Sequence, residues 1–178
     1  FAREKSFFGT GLVAHVALGH PVCGRLGDAV EAACKEVGID AVRGGTYLAM
    51  EGPQFSTLAE SNLYRSWGCD VIGMTNMPEA KLAREAEMCY ATIAMVTDFD
   101  CWHPDHDHVT VEAIIKVLLE NAEKGRSLVK QVTPKLSGRT DTCAHGCHTA
   151  LEHALITAPE ARDPDMIQKL SAVAGRVL

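Results

Sequence analysis

The chain has 178 residues, 47% of them hydrophobic and 22% charged, with a formal net charge of −6. This length suits one domain with a substantial core, and an acidic balance without a Lys/Arg stripe excludes a nucleic-acid footprint. No apolar run is long enough to span a bilayer and no secretory signal opens the chain, so a soluble, cytoplasmic protein without membrane partners is expected.

Residues 12–18 (LVAHVAL) read as a strand. Residues 25–37 carry apolar side chains at helical spacing, and Gly38 stops that helix. A strand with a glycine irregularity follows over 41–50, and after Gly52-Pro53 a capping box of Thr57 and Glu60 opens a helix closed by Gly68. Residues 70–74 (DVIGM) form a short buried strand, and Asn76 and Pro78 start the next helix, with Asn76 as its N-cap. The apolar run 90–97 (YATIAMVT) reads as another buried strand, and a long helix is expected over 110–132. Residues 134–147 read as a polar linker, followed by helices near 148–157 and after Asp163-Pro164. Alternating strands and helices place the chain in the α/β class. It divides into residues 1–133 and a 134–178 tail of the same domain. The start FAREKSFFGTGLVAHVA lacks a methionine and resembles the middle of a domain, so a fragment or one piece of a cleaved polypeptide is expected.

The residues with chemistry gather just beyond the expected strands. Asp98 and Asp100 follow the 90–97 run, where open α/β sheets bind ligands. Carboxylates there can accept from a ligand N–H or share a proton with a ring nitrogen; a solvated loop is the competing reading. In EGPQFST, Phe55 is placed either to stack on a planar ligand or to staple a helix N-terminus. Met74 is core or ligand-facing, and Thr75 is placed to meet an anion at a helix N-terminus. The loop DCWHPDHDH holds His103, Asp105, His106, Asp107 and His108, but its crowding around Pro104 favours a solvated loop over a metal site. The seven cysteines are read mainly as reduced core residues. Cys143 and Cys147, beside His145 and His148, leave zinc binding, a disulfide and two unpaired thiols open.

EGPQFSTLAES and GMTNMPEAKLAREAEMCYATIAMVTDFDCW closely resemble the methylthioadenosine phosphorylases of the purine nucleoside phosphorylase superfamily. The likeness runs from about Ser6 to the end of the long helix, and CAHGCHTALEHALIT resembles the tail of bacterial members. Closely spaced cysteine pairs in such tails form disulfides in some thermophilic members. The resemblance implies a mixed central sheet flanked by helices, and phosphorolysis of 5'-methylthioadenosine to adenine and 5-methylthioribose 1-phosphate in purine and methionine salvage. It implies no metal and no organic cofactor, with phosphate as co-substrate. Asp98 and Asp100 would meet the base, Phe55 its face and Met74 the ribose; Thr97 would complete the substrate contacts. Val111 and Ile114 would line the methylthio pocket, closed by His15 of a neighbouring subunit in a homotrimer. Only Thr75 of the usual phosphate contacts is present, so the N-terminal part of the fold is expected as a second chain or an untraced segment. Another purine nucleoside phosphorylase, a nucleosidase, and a non-catalytic fragment are the alternatives.

Overall fold

The computed structural model describes residues 3–104 and 110–178. Its elements in chain order are α1 (Gly24–Glu36), β1 (Tyr47–Ala49), α2 (Leu58–Ser66), β2 (Val71–Gly73), α3 (Met77–Glu85), α4 (Val111–Leu136) and α5 (Pro164–Ala174). Short 3-10 turns occupy Cys147–Thr149 and Pro159–Ala161. None of the described helices is long and apolar enough to cross a membrane.

The chain forms two compact units. The first comprises residues 1–27, 76–92 and 140–178. Its core is Phe8, Leu12, Leu151, Ala154, Leu170 and Ala174, so the tail is packed structure that holds the early segment. Asp163 caps α5 as its sequence suggests: its carboxylate accepts from the N–H groups of Asp165 and Met166 at 2.8 and 3.0 Å. Residues 148–157, expected to be helical, fold instead as the 3-10 turn and successive turns. There Leu151 donates its N–H to Glu87, and Ile156 donates to the Val13 carbonyl. Those long-range partners replace the i→i−4 ladder of a helix.

The second unit comprises residues 28–75 and 93–139. The apolar stripe of α1 packs Ala33 and Cys34 against Leu128 and Val132 of α4. Lys135 closes the same contact with an ion pair to Glu36 at 2.7 Å. Helix α4 continues through Pro134 to Leu136, beyond the end that its apolar pattern suggests. A proline this near a C-terminus removes one N–H only from the final turn. β1 and β2 pair in parallel, Tyr47 opposite Val71 and Ala49 opposite Gly73.

Helices together with a small parallel sheet make this an α/β fold, with a sheet smaller than the mixed one expected. Residues 12–18 contribute two isolated bridges, Leu12 to Gly9 and Ala14 to Leu155, rather than a strand. Residues 90–97 form no ladder among the described residues, and Ile93, Met95 and Val96 are exposed. The Tyr90 carbonyl accepts from the Cys23 N–H, and the Val96 carbonyl from the Asn121 side chain. An extended apolar run becomes a strand only where a neighbouring backbone takes up its polar groups, and these partners do not extend into a ladder.

Candidate functional site

In the second unit, the loop after β1 and the acidic loop after residue 97 come together through α2. The Thr57 side chain accepts from the Glu60 N–H at 3.3 Å, while the Glu60 carboxylate accepts from the Thr57 N–H at 2.7 Å. This is the capping box expected from sequence. The Thr57 N–H, and the Thr57 hydroxyl at 2.8 Å, both donate to the Glu60 carboxylate and hold it below its usual range.

The fixed first turn of α2 presents Ser61, which is buried. Its hydroxyl donates to Asp100 Oδ2 at 2.6 Å, and the Cys101 N–H donates to Asp100 Oδ1 at 2.8 Å. The Cys101 thiol lies 3.7 Å from the Ser56 carbonyl. Asp100 is thus half-buried and held at both oxygens, whereas Asp98 is exposed and accepts from the Thr97 hydroxyl at 2.5 Å.

Phe55 is 85% exposed, so it does not staple α2 and its ring faces open space. Behind it, Gly52 has φ +68, and a Cβ there would lie 2.6 Å from the Met74 sulfur. The glycine therefore lets the turn approach Met74, which is half-buried. Thr75 follows β2 and is exposed. Next to the acids, Phe99 stacks on His103 with centroids 4.3 Å apart, and the Arg65 guanidinium lies 3.6 Å from the Trp102 ring centre. That aromatic group braces the acidic loop.

Val111 and Ile114 lie on the first turns of α4, Val111 67% exposed and Ile114 half-buried. His15 belongs to the first unit and lines an open hollow with Lys5, Ser6, Lys81 and Glu85. Asp105, His106, Asp107 and His108 of the weighed metal loop lie outside the described residues.

Asn76 occupies the N-cap of α3, but its side chain does not cap the helix. With φ +77 its carboxamide oxygen turns away and accepts from the hydroxyls of Tyr90, at 3.0 Å, and Thr92. Two hydroxyl donors outside the helix displace the expected capping bond.

A second cluster of reactive groups was not legible as one. Cys23, Cys89, Cys143 and Cys147 bring their sulfurs within 4.8 Å of one another in the first unit. All four are free thiols, and Cys23, Cys143 and Cys147 are buried. Burial alone would push the Cys143 thiol up, but N–H groups of His145 and Cys147 and the neighbouring thiols hold it down to about 6. Burial and the Cys143 contact push Cys147 up to about 12. The group differs from the cysteine–histidine set weighed from sequence: His145 instead packs on Gly24, where a Cβ would meet its Nε2 at 2.8 Å.

Residues 2–134 match the family model of the phosphorylase superfamily. The chain is 68% identical over its full length to a protein of Rhodospirillum rubrum named S-methyl-5'-thioadenosine phosphorylase, covering 60% of that protein. It is 62% identical over its full length to one of the same name from Cereibacter sphaeroides, covering 61% of it. Among solved structures, a methylthioadenosine phosphorylase from an Antarctic soil metagenomic library superposes with a TM-score of 0.86 at 43% identity. That match covers 96% of this chain and 60% of the other. The chain thus spans about 60% of the length of the curated relatives it matches. With the family model running from the first unit through β1, β2, the acidic loop and most of α4, this chain belongs to the phosphorylase superfamily.

Proposed function

We propose that the protein containing these residues cleaves 5'-methylthioadenosine with inorganic phosphate, giving adenine and 5-methylthioribose 1-phosphate. The observation that carries this reading is the Ser61–Asp100 hydrogen bond. It fixes a carboxylate beside the loop of Phe55 and leaves Asp98 exposed two residues away.

An ionised carboxylate only accepts hydrogen bonds, so a pair of them selects a 6-amino purine edge over a 6-oxo edge. Asp100 retains lone pairs beyond those used by Ser61 and Cys101 and accepts from the amino group. Asp98 faces N7 and relays to it a proton taken up from solvent as the C1'–N9 bond breaks, so that negative charge on the departing base is relieved where it develops. Phosphate oxygen forms the new bond to C1', and its charge stabilises the cationic ribose. Thr75 supplies a hydroxyl to that phosphate, and the remaining phosphate contacts come from outside these residues. Phe55 covers the base, Met74 underlies the ribose, and Thr97 orients Asp98. Val111 and Ile114 offer apolar surface to the methylthio group, with His15 contributed by a neighbouring subunit of a trimer. The protein would act in the cytoplasm, in purine and methionine salvage.

The test is adenine release from methylthioadenosine with and without phosphate. Strict phosphate dependence, with 5-methylthioribose 1-phosphate as co-product, is expected. Release in water alone would instead mark a nucleosidase, and no release in either medium would leave only nucleoside binding. Sedimentation of the active protein checks the trimer.

A further inference from the structure

Four thiols meet in the first unit from three separate parts of the chain. Cys23 immediately precedes α1, Cys89 follows α3, and Cys143 and Cys147 bracket the turn CAHGC. Their sulfurs all lie within 4.8 Å of one another, and Cys23 and Cys143 are 3.5 Å apart. A tetrahedral zinc ion with Zn–S bonds of about 2.3 Å spaces its sulfurs about 3.8 Å apart. The thiols therefore need only small side-chain adjustments to reach that geometry.

The surroundings suit an anionic cluster. Backbone N–H groups of His145 and Cys147 lie at the Cys143 sulfur within the turn that carries it. Arg25 Nη2 lies 3.6 Å from the Cys89 sulfur, and Arg84 Nη1 lies 3.9 Å from that of Cys147. Zinc bound by four thiolates carries two net negative charges, and two guanidinium groups offset them. Both cations are themselves anchored. Arg25 pairs with Asp141 at 2.8 Å, and Arg84, which is buried, donates to the His20 carbonyl. A buried arginine aimed at a neutral thiol has little electrostatic reward, whereas one beside a metal thiolate does.

We propose that Cys23, Cys89, Cys143 and Cys147 form a structural zinc site that clamps the CAHGC turn to the start of α1 and the segment after α3. Each ligating thiol releases its proton to solvent as the metal binds, with no change in oxidation state. Four protein ligands leave no open position, so the ion stabilises the fold and takes no part in nucleoside cleavage. The inference is independent of the proposed activity.

The experiment is metal analysis of the protein purified under reducing conditions, followed by replacement with Co2+. One zinc per chain is expected, and the cobalt form should show the visible bands of tetrahedral thiolate coordination. C89S and C147S should lose zinc to a chelator concentration that leaves the parent protein loaded, while C69S should not. If the ligand variants fail to fold, the cobalt spectrum of the parent protein still decides. Zinc-free protein with all four thiols open to alkylation would overturn the proposal. So would peptide mapping that finds these cysteines joined in disulfides, or zinc lost from H145A and H148A but retained in C23S and C89S.

Discussion

Ser61 and Asp100, 39 residues apart in the chain, meet through a 2.6 Å hydrogen bond from hydroxyl to carboxylate. The bond ties α2 to the acidic loop and gives the carboxylate one orientation. Ser61→Ala should leave a half-buried acid without this donor, at a cost of about 1–2 kcal/mol in stability. Thermal unfolding measures that loss. Turnover of methylthioadenosine should fall by more than the unfolded fraction explains; unchanged kcat/KM in fully folded S61A would show that Asp100 needs no such support.

Asp98 is the exposed partner, oriented by Thr97 at 2.5 Å. Asp98→Asn removes the proton-sharing group and introduces an N–H donor. It should lower kcat/KM for aminopurine nucleosides by about 10²–10³-fold, the scale of a lost general acid–base group. Oxopurine nucleosides should suffer far less. Equal losses on both classes would remove Asp98 from base recognition.

Gly52→Ala tests the approach of the β1 loop to Met74. Alanine at φ +68 costs about 1–2 kcal/mol, and its Cβ would sit 2.6 Å from the Met74 sulfur. The sulfur end of methionine can swing aside, so the protein should fold with a lowered melting temperature. The displaced Met74 should then raise KM for the nucleoside more than it lowers kcat. A change confined to stability would argue that Met74 is only core.

The Glu87 carboxyl is held below its usual range by Arg176, at 2.7 and 2.9 Å, against burial and with help from the Leu151 N–H. A depressed folded value means that this contribution is fully present above the ordinary glutamate range and fades as pH falls toward the folded value. Stability of the parent protein should therefore decline on acidification below the ordinary range, and Glu87→Gln should flatten that part of the profile. Denaturant midpoints recorded across the acidic limb for both proteins check the sign. A parallel decline in E87Q would assign the acid sensitivity to other carboxylates.

Local signals were legible in the sequence wherever the partner lies within a few residues. The Thr57–Glu60 box and the Asp163 cap each span four residues, and both close as their spacing suggests. Phe55, Met74 and Thr75 could be placed beside β1 and β2 because glycine and proline mark those ends, whereas the acids were placed after an apolar run, 90–97, that forms no ladder among the described residues. Strand formation over 90–97 was not legible, because a strand is a property of two segments and the residues themselves specify only apolarity. Ser61 carried no mark of its own, since a serine on a helix looks the same with or without a carboxylate facing it. The CAHGC turn pointed to its nearby histidines, while the thiols it meets come from positions 23 and 89.

Asn76 meets two demands that few side chains satisfy together. Its backbone sits at φ +77 and ψ −57, the strained γ-turn region that β-branched and bulky residues resist most, and its oxygen accepts from the Tyr90 and Thr92 hydroxyls. Glycine keeps the backbone but abandons both hydroxyls, while serine and threonine offer an oxygen but resist the conformation. In a library randomised at this position, folded and active clones should be restricted almost entirely to asparagine and aspartate. Position 76 is therefore a bottleneck for sequence change set by geometry, in a residue that need not touch any substrate.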